Sequence, residues 1–165
     1  MKTLSIASNA AAAVVTAAVA AAILLPSAHA NGGRHEFDPD PFVGVWVHDA
    51  ARVDCASGTV LLRFKAMQMI HYGGTLSDTS SAGPTTRGPG FGIWERTGER
   101  RYEIKFRYAR YFPDGNLDGY TVISGKTLLA HDGNSLTNSS RVEIRDASDF
   151  LVATACASTA GTRLP

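Results

Sequence analysis

Of the five histidines in this 165-residue chain, two fall inside apolar runs: His48 in FVGVWVHDAARVDC and His71 at the start of HYGG. Imidazole is the side chain best suited to moving a proton near neutral pH, and a carboxylate such as Asp49 or Glu95 beside it would make acid–base work conceivable. Catalysis asks for more than one such group: a nucleophile with its base, a carboxylate pair or a metal, all in one place. No spacing in the chain requires that convergence, so no catalytic residue is assigned. His131 belongs to the turn HDGN and is expected to be exposed.

Other chemistry-bearing stretches are weaker. His35, Glu36, Asp38 and Asp40 in NGGRHEFDPDP could ligate a cation, but they follow no ligand-spacing motif, and no metal or cofactor is assigned. Gly88-Pro89-Gly90-Phe91-Gly92 is followed by no Lys-Ser/Thr pair, so it is not a phosphate loop and is expected to form a flexible lip. The two DGN turns, Asp114–Asn116 and Asp132–Asn134, lack the downstream acids of a calcium loop. Asn138-Ser139-Ser140 matches a glycosylation sequon but lies in the middle of an expected strand.

The elements that would position these groups begin after residue 30. Lys2, the apolar run Ala11 to Leu25, Pro26 and the small residues Ala28 and Ala30 make a Sec-type signal peptide, with cleavage expected after Ala30. The apolar run is shorter than the roughly 20 residues that span a bilayer, and no later segment is apolar enough for membrane insertion. Export, to a periplasm or beyond, is therefore expected. The signal holds one of the 16 basic residues and none of the 15 acidic ones, leaving a balanced mature chain. That balance removes the basic footprint of a nucleic-acid binder. Cys55 and Cys156 are the only two cysteines, and in an oxidising compartment they most simply form one disulfide, with a pair of buried thiols as the alternative.

Residues 31–41 read as a flexible leader, and 42–165 as one domain of strand-like runs cut by turns. Asp-Gly between alternating runs is the strongest short-range hairpin signal, and it occurs in PDGN and HDGN. Gly73-Gly74 divides another pair of runs, and TSSAGPTTRGPG (Thr79 to Gly90) reads as a long loop over the barrel mouth. No capped helix is found, although LLRFKAMQMI fits neither the helical nor the strand period cleanly. The fold class is all-β: an antiparallel up-and-down meander of about eight strands, closed into a barrel because an open sheet leaves two unpaired edges, with a two-sheet sandwich as the alternative.

Alternation assigns inward faces. RYEIKFRYARYF turns Tyr102, Ile104, Phe106 and Tyr108 to the interior, and LTNSSRVEIR turns Leu136, Asn138, Ser140, Val142 and Ile144 the same way. The last strand offers two registers, Phe150/Val152/Thr154/Cys156 or the smaller Leu151/Ala153/Ala155. Eight strands enclose either a filled core or one small ligand. Aromatics facing small polar residues suit an apolar pocket with polar anchors, so Tyr102, Phe106, Tyr108, Asn138 and Ser140 are the candidate ligand-binding residues; a filled core remains the alternative.

The order of landmarks resembles the calycin superfamily, the lipocalin-like small β-barrels, and among them exported bacterial proteins of unsettled function. Gly44-Val45-Trp46 stands at the start of the first strand, as the lipocalin Gly-x-Trp does, and Thr162-Arg163 stands at the end of the last. A second Gly-x-Trp occurs at Gly92-Ile93-Trp94. No helix pattern follows the last strand, which points to a shorter relative. The resemblance implies that Gly44, Trp46 and Arg163 close the barrel base and that a small hydrophobic molecule is the partner. The other expectations are a barrel isomerase or cyclase acting on an apolar substrate, and a protein-binding module such as a periplasmic protease inhibitor.

Overall fold

The computed structural model describes residues 40–165. The expected signal segment and residues 31–39 of the expected leader lie outside the described residues. Eight strands follow one another along the chain: β1 (Gly44–Val53), β2 (Val60–Ile70), β3 (Thr75–Ser80), β4 (Arg87–Arg96), β5 (Arg101–Tyr111), β6 (Leu117–Leu129), β7 (Ser135–Asp146) and β8 (Leu151–Arg163). Each pairs antiparallel with its neighbour, and β8 returns to β1, so the sheet is a closed up-and-down barrel. No helix occurs among the described residues.

The turns form as their residues dictate. Asp114 accepts a hydrogen bond from the Asn116 amide at 3.0 Å, Gly115 adopts φ 86°, and the same side-chain bridge recurs from Asp132 to Asn134 at 2.9 Å. Alternation holds best in β5, where Tyr102, Ile104 and Phe106 are buried between exposed Arg101, Glu103, Lys105 and Arg107. The ambiguous LLRFKAMQMI is strand β2. Its period is blurred because Met67 and Met69 on the outer face and Leu61 and Leu62 at the open end are all exposed. In β8 the smaller register faces inward, continuing through Ala157 to Gly161.

The loop expected over Thr79–Gly90 is shorter, spanning only 81–86. Thr79 and Ser80 continue the ladder with Met67 and Ala66, while Arg87 and Gly90 pair with Arg110 and Tyr108. The register slips between Arg87 and Gly90, which accommodates Pro89, a residue with no amide hydrogen to give the ladder. The expected glycine lip is likewise part of β4. Gly92 pairs with Phe106, and a Cβ there would meet the Phe106 Cβ at 2.4 Å, so only glycine lets the aromatic ring lie across that strand.

One end of the barrel is plugged. Asp40 accepts the amide of Phe42, and its carbonyl accepts the Val43 amide at 2.9 Å, making a tight turn before β1. That turn drives the Phe42 ring into the barrel, where it stacks on Tyr102 at 4.3 Å and meets Trp94 edge-on at 5.5 Å. The Trp46 indole donates to the Phe42 carbonyl at 2.9 Å, and Ile70, Leu76, Leu129 and Leu136 complete a dry cluster. Over it lies Arg163, whose guanidinium carbon sits 4.4 Å from the centre of the Trp46 ring. Its nitrogens donate to the carbonyls of Val43 (2.8 Å), Gly133 (3.0 Å) and Pro41.

At the opposite end the disulfide Cys55–Cys156 joins residues 101 positions apart, just beyond the Val53–Cys156 step where β1 and β8 stop pairing. The β1–β8 seam is therefore held at one end by a covalent bond and at the other by Arg163.

Replacing Arg163 by Ala removes three carbonyl contacts and the stacking on Trp46, and is expected to destabilise the fold by about 2–4 kcal/mol. Arg163→Lys should recover little of this, since a point ammonium cannot span three carbonyls as a planar fork does. Urea unfolding of the two variants decides it; near wild-type stability for Arg163→Ala would show that the base is held by Phe42 and Trp46 alone, and for Arg163→Lys alone that charge rather than the planar fork matters.

Candidate functional site

The plug fills only half of the barrel because side-chain volume is distributed unevenly. β5 contributes Phe106 and Tyr108, but β8 faces them with Ala155, Ala157, Thr159 and Gly161. Between them lies an inner chamber of about 90 Å³, lined among others by His48, Asp78, Arg87, Phe106, Asn138 and Ser140. Phe64, Ala82, Tyr108, Ile123 and Ala157 also line a wider vestibule of about 410 Å³, so the two spaces adjoin. The vestibule walls are mostly apolar, with Leu62, Val142, Ile144 and Ala155, and Arg52 and Arg110 stand among them. Pockets for small molecules typically hold about 300–1,000 Å³, so the vestibule fits a ligand body and the chamber only a head group or a few waters.

The mouth is shaped by irregular pairing. All four register slips fall at this end of the barrel: at Arg52/Val53, Arg87/Gly90, Arg110/Tyr111 and Ile144/Arg145. Bulges bend strands at barrel rims and re-aim side chains, and here arginines stand beside them. Arg110 is tied down by Asp118 (2.9 Å) and by the carbonyls of Tyr120 (3.0 Å) and Arg145 (3.2 Å). Outside these, Val60, Leu61, Phe112, Phe150 and Val152 are exposed around the same mouth.

His48 is the chemically distinct group. It is only 3% exposed, and neither ring nitrogen has a hydrogen-bond partner. Its ring packs over Gly161, where a Cβ would meet Nδ1 at 2.8 Å; the last strand thus leaves the imidazole its room. Burial alone lowers its pKa from 6.5 to about 4, so the ring is neutral at physiological pH.

A second buried polar group is the ion pair of Asp78 and Arg87, whose side chains are 4% and 9% exposed. Arg87 also stacks 3.9 Å from the centre of the Tyr108 ring. Burial raises the Asp78 pKa, while the Arg87 charge and hydrogen bonds from Arg87 and Gln68 oppose the rise. A third set is internally satisfied: Asn138 donates to Thr127 Oγ1 at 2.9 Å, and Ser140 donates to the Asn138 carbonyl oxygen at 2.5 Å.

Of the residues assigned from alternation, Phe106, Tyr108, Asn138 and Ser140 line the chamber. Tyr102 does not. It faces the interior one turn of the pleat too low, stacked on Phe42 within the plug, with its hydroxyl donating to Asp40 at 2.9 Å. Burial, with Asp40 beside it, raises its pKa to about 12. The groups considered for acid–base work are dispersed. Asp49 points outward to Lys65, Glu95 and His131 are exposed, and His71 is hydrogen-bonded to Ser77 at 2.9 Å in the hairpin at the plugged end. Among the described residues, no three His, Cys, Asp or Glu side chains converge as a metal site.

Sequence reasoning missed Asp78 and Arg87. Asp78 was findable, since it lies two residues from inward Leu76; Arg87 was hidden in a stretch with loop composition. A broader depression of about 550 Å³ on the outer wall, between Glu95, Glu103, Lys105, Lys126 and Arg141, is an open sheet face of alternating charge. No protein-family model matches the chain, and no curated protein is significantly similar to it.

Two predictions follow from the buried groups. The folded His48 resists protonation down to about pH 4, whereas the unfolded chain takes up that proton near 6.5. Its contribution to stability is complete above pH 6.5 and declines as pH falls towards 4, by about 3 kcal/mol in all. Denaturant titrations across that window should show His48→Leu with the shallower decline; parallel slopes would mean that the imidazole is hydrated in the folded state.

For the ion pair, Arg87→Met leaves a buried unpaired carboxylate and should cost about 3–5 kcal/mol, while adding Asp78→Leu should restore most of it. Additive losses in this double-mutant cycle would mean that the two side chains do not interact in solution.

Proposed function

We propose that the protein is an exported, lipocalin-like carrier of the calycin type that takes a small, largely hydrophobic molecule into the mouth of its barrel. The observation that carries this reading is the pair of adjoining cavities: an apolar vestibule beside a smaller chamber lined by a buried, unpartnered His48. A barrel built only for stability has no use for an unpaired imidazole, since an unsatisfied buried polar group costs about 1–3 kcal/mol. A hydrogen-bonding group brought into the chamber by a ligand would relieve that cost.

The exposed apolar side chains around the mouth support the same reading, because they offer an apolar ligand a favourable first contact. Phe106, Tyr108 and Ile123 would form the walls. The disulfide fits the oxidising compartment that the signal-like N-terminus implies. An isomerase or cyclase reading lacks an acid–base pair of the kind considered from the sequence, because Asp49 and Glu95 face outward.

Native mass spectrometry of protein purified from its own source, followed by denaturation, should release a small apolar molecule. Ala157 lines both spaces, so Ala157→Phe should fill the passage, abolish that release and preserve the fold. An apo mass for the wild type, together with no change in melting temperature on titration with fatty acids, alcohols and sterols, would remove the carrier reading.

A further inference from the structure

The polar groups of the inner chamber restrict what the buried end of a ligand can be. Asp78 and Arg87 neutralise each other, and Arg87 is further engaged with Tyr108. Asn138, Ser140 and Thr127 bond among themselves. Among the fully buried side-chain atoms of the described residues, only those of His48 are satisfied by no protein group.

A carboxylate entering this chamber would lose its hydration with no free cation to meet it, because the one buried arginine is already paired. An ammonium would find its only carboxylate equally occupied. Burying an uncompensated charge is far more costly than burying a neutral polar group. Wholly apolar ends fail for the opposite reason, since they leave the imidazole unsatisfied. A neutral imidazole carries one N–H and one bare nitrogen, and a hydroxyl can serve either, accepting from the first or donating to the second.

We infer that the ligand's buried end is an uncharged hydroxyl-type group hydrogen-bonded to His48, with an apolar body filling the vestibule. This rests on the carrier reading and specifies the ligand class for that same cavity. The chamber's volume, about 90 Å³, matches a head group of this size, and the vestibule's 410 Å³ matches the body. His48 acts here as a specificity residue: it selects among ligands of equal apolar bulk.

The test compares four probes of one chain length against the disulfide-bonded protein: decanol, its methyl ether, decanoate and decylamine, each titrated by calorimetry. Decanol should bind roughly tenfold or more tightly than the two ions, and more tightly than the ether, because its hydroxyl can donate to one ring nitrogen or accept from the other whereas the ether oxygen can only accept. In His48→Leu the preference for decanol over the ether and the two ions should vanish. Nitrogen NMR of the wild-type His48 ring, shifting on addition of decanol and not of decanoate or decylamine, gives the same answer independently of how that variant folds.

Equal affinity for all four probes, with His48 signals unmoved, would overturn the head-group assignment and leave the cavity as a general apolar site. Preference for decanoate or decylamine would overturn it in favour of a charged ligand. Binding of no probe at all would remove the carrier reading itself.

Discussion

The structure depends on one pairing, that of β1 with β8. Every other strand contact joins neighbours in sequence, but this ladder, from Trp46–Arg163 to Val53–Cys156, brings together segments separated by almost the whole domain. Without it the meander is an open sheet with two unpaired edges and no interior. Loop-closure entropy makes such a long-range pairing the hardest to form, and both ends of the seam are reinforced accordingly. The disulfide constrains the unfolded chain, by roughly 4.7 kcal/mol for a loop of about 100 residues in the entropic model. Arg163 works in the folded state, through carbonyls that lie on both sides of the seam.

Closure also explains why the barrel is half core and half cavity. The interior has one fixed width, and its contents are decided strand by strand. At the plugged end large groups converge from several strands and from the Asp40–Val43 turn. Towards the mouth, β8 supplies alanine, threonine and glycine where β5 supplies aromatics, and packing to crystal-like density fails on that side. Most of the buried polar groups, His48, Asp78, Thr121, Asn138 and Ser140, sit around the space that results. The bulges then open the rim, so one end of a continuous sheet serves stability and the other a site.

Much of this was legible in the sequence, for physical reasons that also mark the limits. Period-two alternation in RYEIKFRYARYF and LTNSSRVEIR assigned the faces of β5 and β7, because one side of each strand is dry and the other wet. The cysteine pair followed from their number together with the oxidising compartment that the N-terminal segment implies. The signal weakened where both faces of a strand carry apolar groups, as in β2, or where bulges interrupt the period, as at Arg87. Depth along the barrel is not encoded in alternation at all, which is why Tyr102 was grouped with Phe106 although it belongs to the plug. Phe42 looked like strand, yet it is placed by a turn whose cap is the Asp40 carboxylate. An inward-facing charge such as Asp78 is read as a surface residue until its partner is known.

The presence of only two cysteines bears on how the barrel is made. The chain is synthesised from its N-terminus, so β1 emerges first and finds no second edge until the thirteen residues of β8 are available. Through that interval Cys55 has no intramolecular thiol with which to pair wrongly, because Cys156 is the sole alternative and arrives with the strand that closes the barrel. Oxidation within one molecule thus has a single product. The errors left open are between molecules, where a nascent barrel with a free edge and a free thiol can join another of its kind, so the yield of native protein should depend on how dilute the newly made chains are kept.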